Sequence, residues 1–432
     1  MSLEVISFSL LALLVFFLGT TVWVGISLFI VGILSIILFT TNPPLTILSN
    51  MFWNNVNSPT MIALPLFILM GEILIRSGLS ARLFNGLAPW MSFIPGRLLH
   101  VNVVASSLFS AVSGSSAATT ATVGKITLPE LSKRNYSRSI SIGTLAGAGT
   151  LGFLIPPSMM MIVYGIVAQV SIGQLFIAGI IPGILLAAGF SGYIIIRALI
   201  NPSVANQEES YSWGDRFKAL PQLLPIVILI VLVLGSIYMG FATPTEAAAV
   251  GVFGSFVIAL FYRQLNVGVM KEILTESVKT STMIMIIVCG ASYLSVTVGY
   301  LNIPSQLTQF ITDLGITGFQ LIIILSIMYI ILGMMLDGFS LIVMSLPLAL
   351  PLIVAAGFEP LWFGIYLVLM IEIAQITPPV GFNLFVINGM VKEDIMRIAY
   401  YTIPSFIIIL LVTFLITLFP DIVFWLPDLM MK

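Results

Sequence analysis

Leu154-Ile155-Pro156-Pro157-Ser158 returns, 222 residues further along, as Ile376-Thr377-Pro378-Pro379-Val380. Each proline pair interrupts a long apolar stretch. Proline lacks an amide donor and its ring clashes with the preceding turn, so carbonyls around it lose their helical partners. In hydrocarbon such carbonyls must be satisfied by protein, water or an ion. Two readings are open: a kinked helix satisfied by neighbouring side chains, or oxygen ligands for a sodium ion. The second is favoured because the break occurs twice, each time with a polar turn in the same half of the chain.

The same offset places Pro129 on Pro351, Pro182 on Pro404, Thr60-Met61-Ile62 on Thr282-Met283-Ile284, Thr21 on Thr243, Gly32 on Gly254 and Phe39 on Phe261, without a gap. Apolar sequence matches itself by chance at leucine and isoleucine; prolines and a tripeptide in one register are harder to obtain. The chain therefore reads as two repeats, 1–210 and 223–432, with 201–219 as a polar linker loop.

Composition sets the class. Of 432 residues, 59% are hydrophobic and 8% charged, and the mean hydropathy is +1.15. A soluble domain carries about a quarter of its residues as charges, so this is an all-α polytopic membrane protein. A net charge of −1 offers no surface for nucleic acid. A single cysteine (Cys289) and a single histidine (His100) exclude disulfide frameworks, zinc and iron–sulfur sites and thiol–imidazole catalysis. The first apolar stretch is expected not to be a cleaved signal, since Glu4 stands where a basic segment would precede it.

A crossing helix needs about 20 apolar residues. Crossings are expected near 5–18, 22–40, 60–77, 138–170, 179–199, 221–240, 244–263, 278–301, 360–390 and 402–425. Two stretches, about 98–132 and 317–356, are too long for one helix and carry Ser113-Gly114-Ser115-Ser116 and Asp337-Gly338-Phe339-Ser340 near their middles. They read as re-entrant hairpins. Each repeat then holds five crossings and one hairpin, with broken helices at 154–158 and 376–380. Five is odd, so the halves are inverted, the sequence pointer to a secondary transporter with a midplane site.

Basic residues test that topology. Arg76, Arg82, Arg97, Lys133, Arg134, Arg138, Arg197, Arg216, Lys218, Arg263, Lys271, Lys279, Lys392 and Arg397 all fall on one face, leaving only Lys125 and Lys432. By the positive-inside tendency that face is cytoplasmic, and both termini are expected on the periplasmic side. Segments 44–57, 80–92, 267–277 and 392–400 read as helices lying along the interface.

The hairpin tips carry the remaining chemistry. Ser115 falls on Asp337 and Ser116 on Gly338 in the 222-residue register. Asp337 is flanked by apolar runs on both sides, and an ionisable group inside a membrane is a functional candidate; its alternative is a structural acceptor for backbone donors at the tip. Thr119 and Thr120 read as bonding back to helix carbonyls. Thr243-Pro244-Thr245-Glu246 reads as a capping box, Glu72 pairs with Arg76 one turn on, His100 and Cys289 read as packing residues, and Glu372 is left undecided.

Four segments in this order carry a family likeness: Pro65-Leu66-Phe67-Ile68-Leu69-Met70-Gly71-Glu72, Ser113-Gly114-Ser115-Ser116-Ala117-Ala118-Thr119, Gly149-Thr150-Leu151-Gly152-Phe153-Leu154-Ile155-Pro156-Pro157-Ser158 and Thr377-Pro378-Pro379-Val380-Gly381. Over essentially its whole length the chain resembles the large membrane subunit (M, or DctM-like) of tripartite ATP-independent periplasmic (TRAP) transporters. The resemblance implies an elevator-type transporter of the ion-transporter superfamily in the bacterial inner membrane. It implies two protein partners, a small four-helix membrane subunit and a periplasmic substrate-binding protein, and sodium symport of an organic anion, sialic acid ahead of C4-dicarboxylates. No cofactor is implied beyond the coupling sodium ions. Carried over by motif, one sodium site takes Ser110, Ser113, Gly152, Ile155 and Pro156, and the other Gly333, Ala374, Thr377 and Val380. Substrate contacts are expected from Ser115, Ser116 and Asp337. The rival transporter reading is a stand-alone sodium-coupled carrier without a binding protein; an intramembrane enzyme lacks a nucleophile–base pair, and a channel lacks a polar lining.

Overall fold

A computed structural model of the chain describes residues 3–20, 22–205 and 211–430. Thr21, the middle of the linker (206–210) and Lys432 lie outside them. The first half runs α1 Leu3–Gly19, α2 Val24–Phe39, α3 Pro44–Val56, α4 Pro59–Arg76, α5 Leu79–Met91, α6 Leu99–Ser113, α7 Ser116–Lys133, α8 Arg138–Thr150, α9 Met159–Ala168 and α10 Ile172–Ile200. After the short linker helix α11 Trp213–Ala219 come α12 Leu224–Tyr238, α13 Pro244–Phe261, α14 Val267–Tyr300, α15 Ile303–Asp313, α16 Gly318–Gly333, α17 Gly338–Ala355, α18 Pro360–Gln375, α19 Phe382–Val391, α20 Ile395–Leu418 and α21 Asp421–Met430. The fold is all-helical. Among the described residues, α4, α10, α13, α14, α17 and α20 are each long and apolar enough to cross a membrane alone.

Local chemistry sets many of these boundaries. Prolines open α3, α4, α13 and α18, where the missing amide costs no helical bond. Thr243 and Glu246 form the expected capping box at the start of α13. Glu72 pairs with Arg76. Two expected interfacial helices do not exist as separate elements: 267–277 is the first third of the 34-residue α14, and 392–400 runs directly into α20. In the first half Pro59 divides α3 from α4; the residue 222 positions on is Ser281, and nothing there stops the helix. The last expected crossing, 402–425, is displaced towards the N-terminus: α20 runs from Ile395 to Leu418, and α21 follows as a separate helix.

Packing exchanges elements between the halves. Helix α2 lies on α14 and α13 on α4; α7 lies on α19 and α17 on α9; α8 lies on α20 and α10 on α18. The centre is formed by α8 and α18, buried along nearly all their length. Phe358, just ahead of α18, stacks on Trp362, and Trp362 on Tyr366; Trp362 Nε1 donates to the Ile416 carbonyl at 2.9 Å. Large apolar side chains such as Phe241, Phe253 and Phe261 point outward, as a lipid-facing surface requires.

Basic residues from both halves meet acidic or aromatic groups at shared helix ends. Arg76 lies 3.7 Å from Glu272 as well as beside Glu72, and Arg82 sits 3.9 Å above the Tyr262 ring. Glu393, in the loop between α19 and α20, accepts from Arg138 at 2.8 Å and Tyr401 at 3.1 Å, with Arg397 at 3.7 Å. Burial alone would raise the Glu393 pKa, but these partners hold it below the ordinary carboxylate range. A depressed folded-state pKa gives stability that is complete above the unfolded value, about 4.3, and is lost as pH falls through the folded one. Both arginines are largely exposed, so the contribution is solvent-screened. Glu393→Gln should lower stability by about 0.5–1 kcal/mol at pH 7 and flatten the acid limb of the melting profile in detergent; an unchanged acid limb would contradict this.

Candidate functional site

The first hairpin tip is pressed onto the first proline break. Gly114, with φ +59°, lets α6 turn back into α7, and Ser115 caps α7 by accepting from the Ala118 amide at 3.4 Å. The Met159 amide reaches the Gly114 carbonyl at 3.4 Å. Gly152 packs so closely that a Cβ there would stand 2.7 Å from the Ser115 carbonyl group and 2.8 Å from the Ser116 amide nitrogen. A Cβ on Gly71 of α4 would stand 3.3 Å from Ser113. Ser113, Gly152 and the Pro156-Pro157 turn, expected to share a site, are therefore gathered at one junction.

This junction has unspent oxygens. Ser110 Oγ is buried with no hydrogen-bond partner among the described residues. Among those residues no backbone amide donates to the carbonyls of Gly152, Ile155 or Pro156. Ser113 Oγ pairs with Thr119 Oγ1 at 2.9 Å. A buried hydroxyl on the hairpin and freed carbonyls in the break packed against its tip suit a hard cation, which takes oxygen ligands.

The second junction resembles the first with differences in detail. A Cβ on Gly333 would run into Ala374, and one on Gly338 would stand 2.6 Å from Ile371 and 2.8 Å from Met160. Thr377 Oγ1 donates to Ile373 O at 2.6 Å, and the Thr377 carbonyl accepts from Gly381 at 3.0 Å, so this break is more fully satisfied. The Val380 side chain is exposed; only its backbone is available as a ligand. Asp337 is exposed at the tip and caps α17, accepting from the amides of Phe339 (3.0 Å) and Ser340 (3.3 Å) and from the Ser340 hydroxyl. That is the structural role the sequence left open for it.

Several polar residues matter more than the sequence suggested. Ser116 donates to Asn383 Oδ1 at 3.0 Å, and Asn383 Nδ2 reaches the Ala146 carbonyl at 3.4 Å. Asn383 of α19 thus ties the first tip to the other half. Glu372 is fully buried in α18, with the Thr150 side chain beside its carboxyl group. Thr119 and Thr120 do not bond back to helix carbonyls: Thr119 pairs across the tip, and Thr120 Oγ1 is unpartnered beneath Gly149. His100 and Cys289 are buried packing residues, His100 Nε2 lying 2.8 Å from Pro95 O.

At the basic end of α7 a cleft of about 470 Å³ opens between α7, α8 and α19, lined by Lys125, Ser132, Arg138, Ser141 and Met390. Arg138 is held there by Glu393 and the Val391 carbonyl.

Comparison with known proteins agrees with this architecture. The family described as "Tripartite ATP-independent periplasmic transporter, DctM component" matches residues 10–422. The C4-dicarboxylate TRAP transporter large permease protein DctM of Pseudomonas aeruginosa is 33% identical over 405 residues, 93% of this chain and 94% of that protein. The sialic acid TRAP transporter large permease protein SiaM of Vibrio cholerae is 29% identical over 412 residues, 94% of this chain and 95% of that one. Among solved structures, the Alcanivorax borkumensis YdaH transporter is similar with a TM-score of 0.61 at 12% identity, over 89% of this chain and 88% of that one; that likeness concerns the fold.

Proposed function

Because the chain belongs to the DctM component family of tripartite ATP-independent periplasmic transporters, we propose that it is the permease of a sodium-driven importer of organic carboxylates. The family is a membrane-embedded transporter permease, not an enzyme. The proposed partners are a small four-helix membrane subunit and a periplasmic protein that delivers the substrate. The proposed location is the bacterial inner membrane, with the basic end cytoplasmic and both termini periplasmic.

The junction of the first tip with the first break carries the sodium reading: Ser110 Oγ on the hairpin has no hydrogen-bond partner among the described residues, and the break that packs on the tip offers the carbonyls of Gly152, Ile155 and Pro156. Sodium is cargo here, with a second ion assigned to Gly333, Ala374, Thr377 and Val380. Support for two inverted repeats comes from helix bounds such as Ser116–Lys133 and Gly338–Ala355 and from the exchanged packing pairs. In the elevator reading, hairpins and broken helices move together against the remaining helices. Ser115, Ser116 and Asp337 are the proposed substrate contacts; the Ser115 hydroxyl, which accepts from the Ala118 amide at 3.4 Å, is the most readily redirected. The relatives bear the names of both sialic acid and C4-dicarboxylate transporters, so both anions are test substrates.

Charge distinguishes them. Two sodium ions with a monovalent sialate carry net +1 inward, so 100 mV inside-negative adds about 2.3 kcal/mol, about 50-fold in accumulation. Two sodium ions with a dicarboxylate dianion are electroneutral. Proteoliposomes holding the chain and both partners should accumulate one of these anions only with an inward sodium gradient, with the potential deciding which. Sodium-indifferent uptake would overturn the proposal, and uptake without the binding protein would favour a stand-alone carrier.

A further inference from the structure

Along α6, Asn102, Ser106 and Ser110 recur every four residues and share one helix face. Along α7, Thr120 and Thr127 are seven apart and likewise share a face. All five side chains are buried. Asn102 Oδ1, Ser106 Oγ, Ser110 Oγ, Thr120 Oγ1 and Thr127 Oγ1 have no hydrogen-bond partner among the described residues. Both rows turn toward α8. Asn102 Nδ2 donates to Ser141 O at 3.0 Å and Thr144 Oγ1 at 3.2 Å, and Thr120 Oγ1 fills the space where a Cβ on Gly149 would fall. Since the hairpin turns at Gly114, Ser110 lies roughly level with Thr120, and Asn102 roughly level with Thr127.

A buried polar atom left unpaired costs about 1–3 kcal/mol, and native interiors hold few of them. Five on two neighbouring helices form a pattern with a chemistry: every one is an oxygen. Oxygen-lined interiors suit water and hard cations. The upper end, Ser110, is a proposed sodium ligand. The lower end is Ser141, which takes Asn102 and also lines the cleft of about 470 Å³. From Ser110 to Asn102 the row covers eight residues, about 12 Å.

We propose that this oxygen row is the path by which sodium leaves the first site for the cleft. The inference rests on the sodium-import reading above. Ions pass Ser106, Thr127 and Asn102 in transit with water completing their shells, so these residues set the release rate and leave equilibrium affinity to the site itself.

Thr127→Val tests it, because valine keeps the shape of threonine and removes only the oxygen. Removing an unpaired buried hydroxyl is structurally neutral or favourable, so a purely structural residue would give a variant as stable and as active as the wild type. The path predicts wild-type thermal stability and an unchanged sodium chloride concentration for half-maximal stabilisation, against choline chloride. It also predicts substrate-coupled sodium-22 entry into proteoliposomes about 10-fold slower, with Thr127→Ser near the wild-type rate. Ser106→Ala should behave as Thr127→Val does. Wild-type entry rates in both variants overturn the path, as does a sodium affinity that falls in step with the rate, which would make these residues part of the site. A wild-type protein that neither binds nor imports sodium overturns the import reading itself, a failure visible before any variant is made.

Discussion

Gly152→Ala should give a protein that folds and assembles yet transports at about one-hundredth of the wild-type rate. The added methyl would stand 2.7 Å from the Ser115 carbonyl group and 2.8 Å from the Ser116 amide nitrogen. These are backbone atoms at a hairpin tip, so no side-chain rotation relieves the contact, and the tip must retreat. The retreat parts Ser113 from the carbonyls of Gly152, Ile155 and Pro156, on which sodium coordination is proposed to depend. A misplacement of about 1 Å at a reacting centre costs on the order of 10²-fold, and an ion site with fixed oxygens is comparably sensitive. Melting in sodium and in choline separates this from unfolding: the choline value should stay near wild type while the sodium increment disappears. Normal sodium-dependent uptake by Gly152→Ala would remove the tip–break junction from the mechanism.

Gly143→Ala should produce the largest loss of stability, about 3 kcal/mol, as overpacking at a close contact does. Gly143 lies where α8 crosses α20, and a Cβ there would run into the Tyr401 carbonyl oxygen. One turn on, a Cβ at Gly147 would meet Ser405, whose hydroxyl donates to the Gly143 carbonyl at 3.1 Å. Small residues four apart let two membrane helices touch through their backbones, and a methyl at the first of them forces the pair apart and breaks the Ser405 bond. Gly192→Ala in α10 is the control of opposite sign. Its Cβ would meet nothing within 4 Å, so replacing a mid-helix glycine should stabilise by roughly 0.5–1 kcal/mol. Equal melting temperatures for the two variants would contradict the close α8–α20 crossing.

What was legible in the sequence was what breaks hydrophobic continuity. Two proline pairs and two polar tips stand out against apolar runs, and helices do end at each of them: α6 at Ser113, α16 at Gly333, α8 at Thr150 and α18 at Gln375. Lys271, Glu272, Glu276 and Lys279 made the start of α14 look like a surface helix, although no helix-breaking residue separates it from the crossing. Helix α15 was missed, yet the 222-residue register carries α5 onto 301–313, almost its observed bounds. Asn102 and Asn383 lay in plain view as amides inside apolar helices. Their partners could not be read, because Ser116 and Asn383 are 267 residues apart. Thr120 was misread for a related reason: the neighbour that decides its environment is Gly149 on another helix, not its own preceding turn.

The exchange of packing between the halves has a consequence in time. The first tip is bonded to Asn383, and α7 rests on α19, so these surfaces of the early half stay uncovered until the later half is made. At a synthesis rate of about 5–20 residues per second, the 267 residues between Ser116 and Asn383 take on the order of 10–50 s to be made. Throughout that interval a nascent hairpin bearing unpaired hydroxyls sits in the bilayer without its partner helix. The period of greatest vulnerability for this protein therefore falls during its birth, when insertion machinery or lipid must stand in for a half not yet translated.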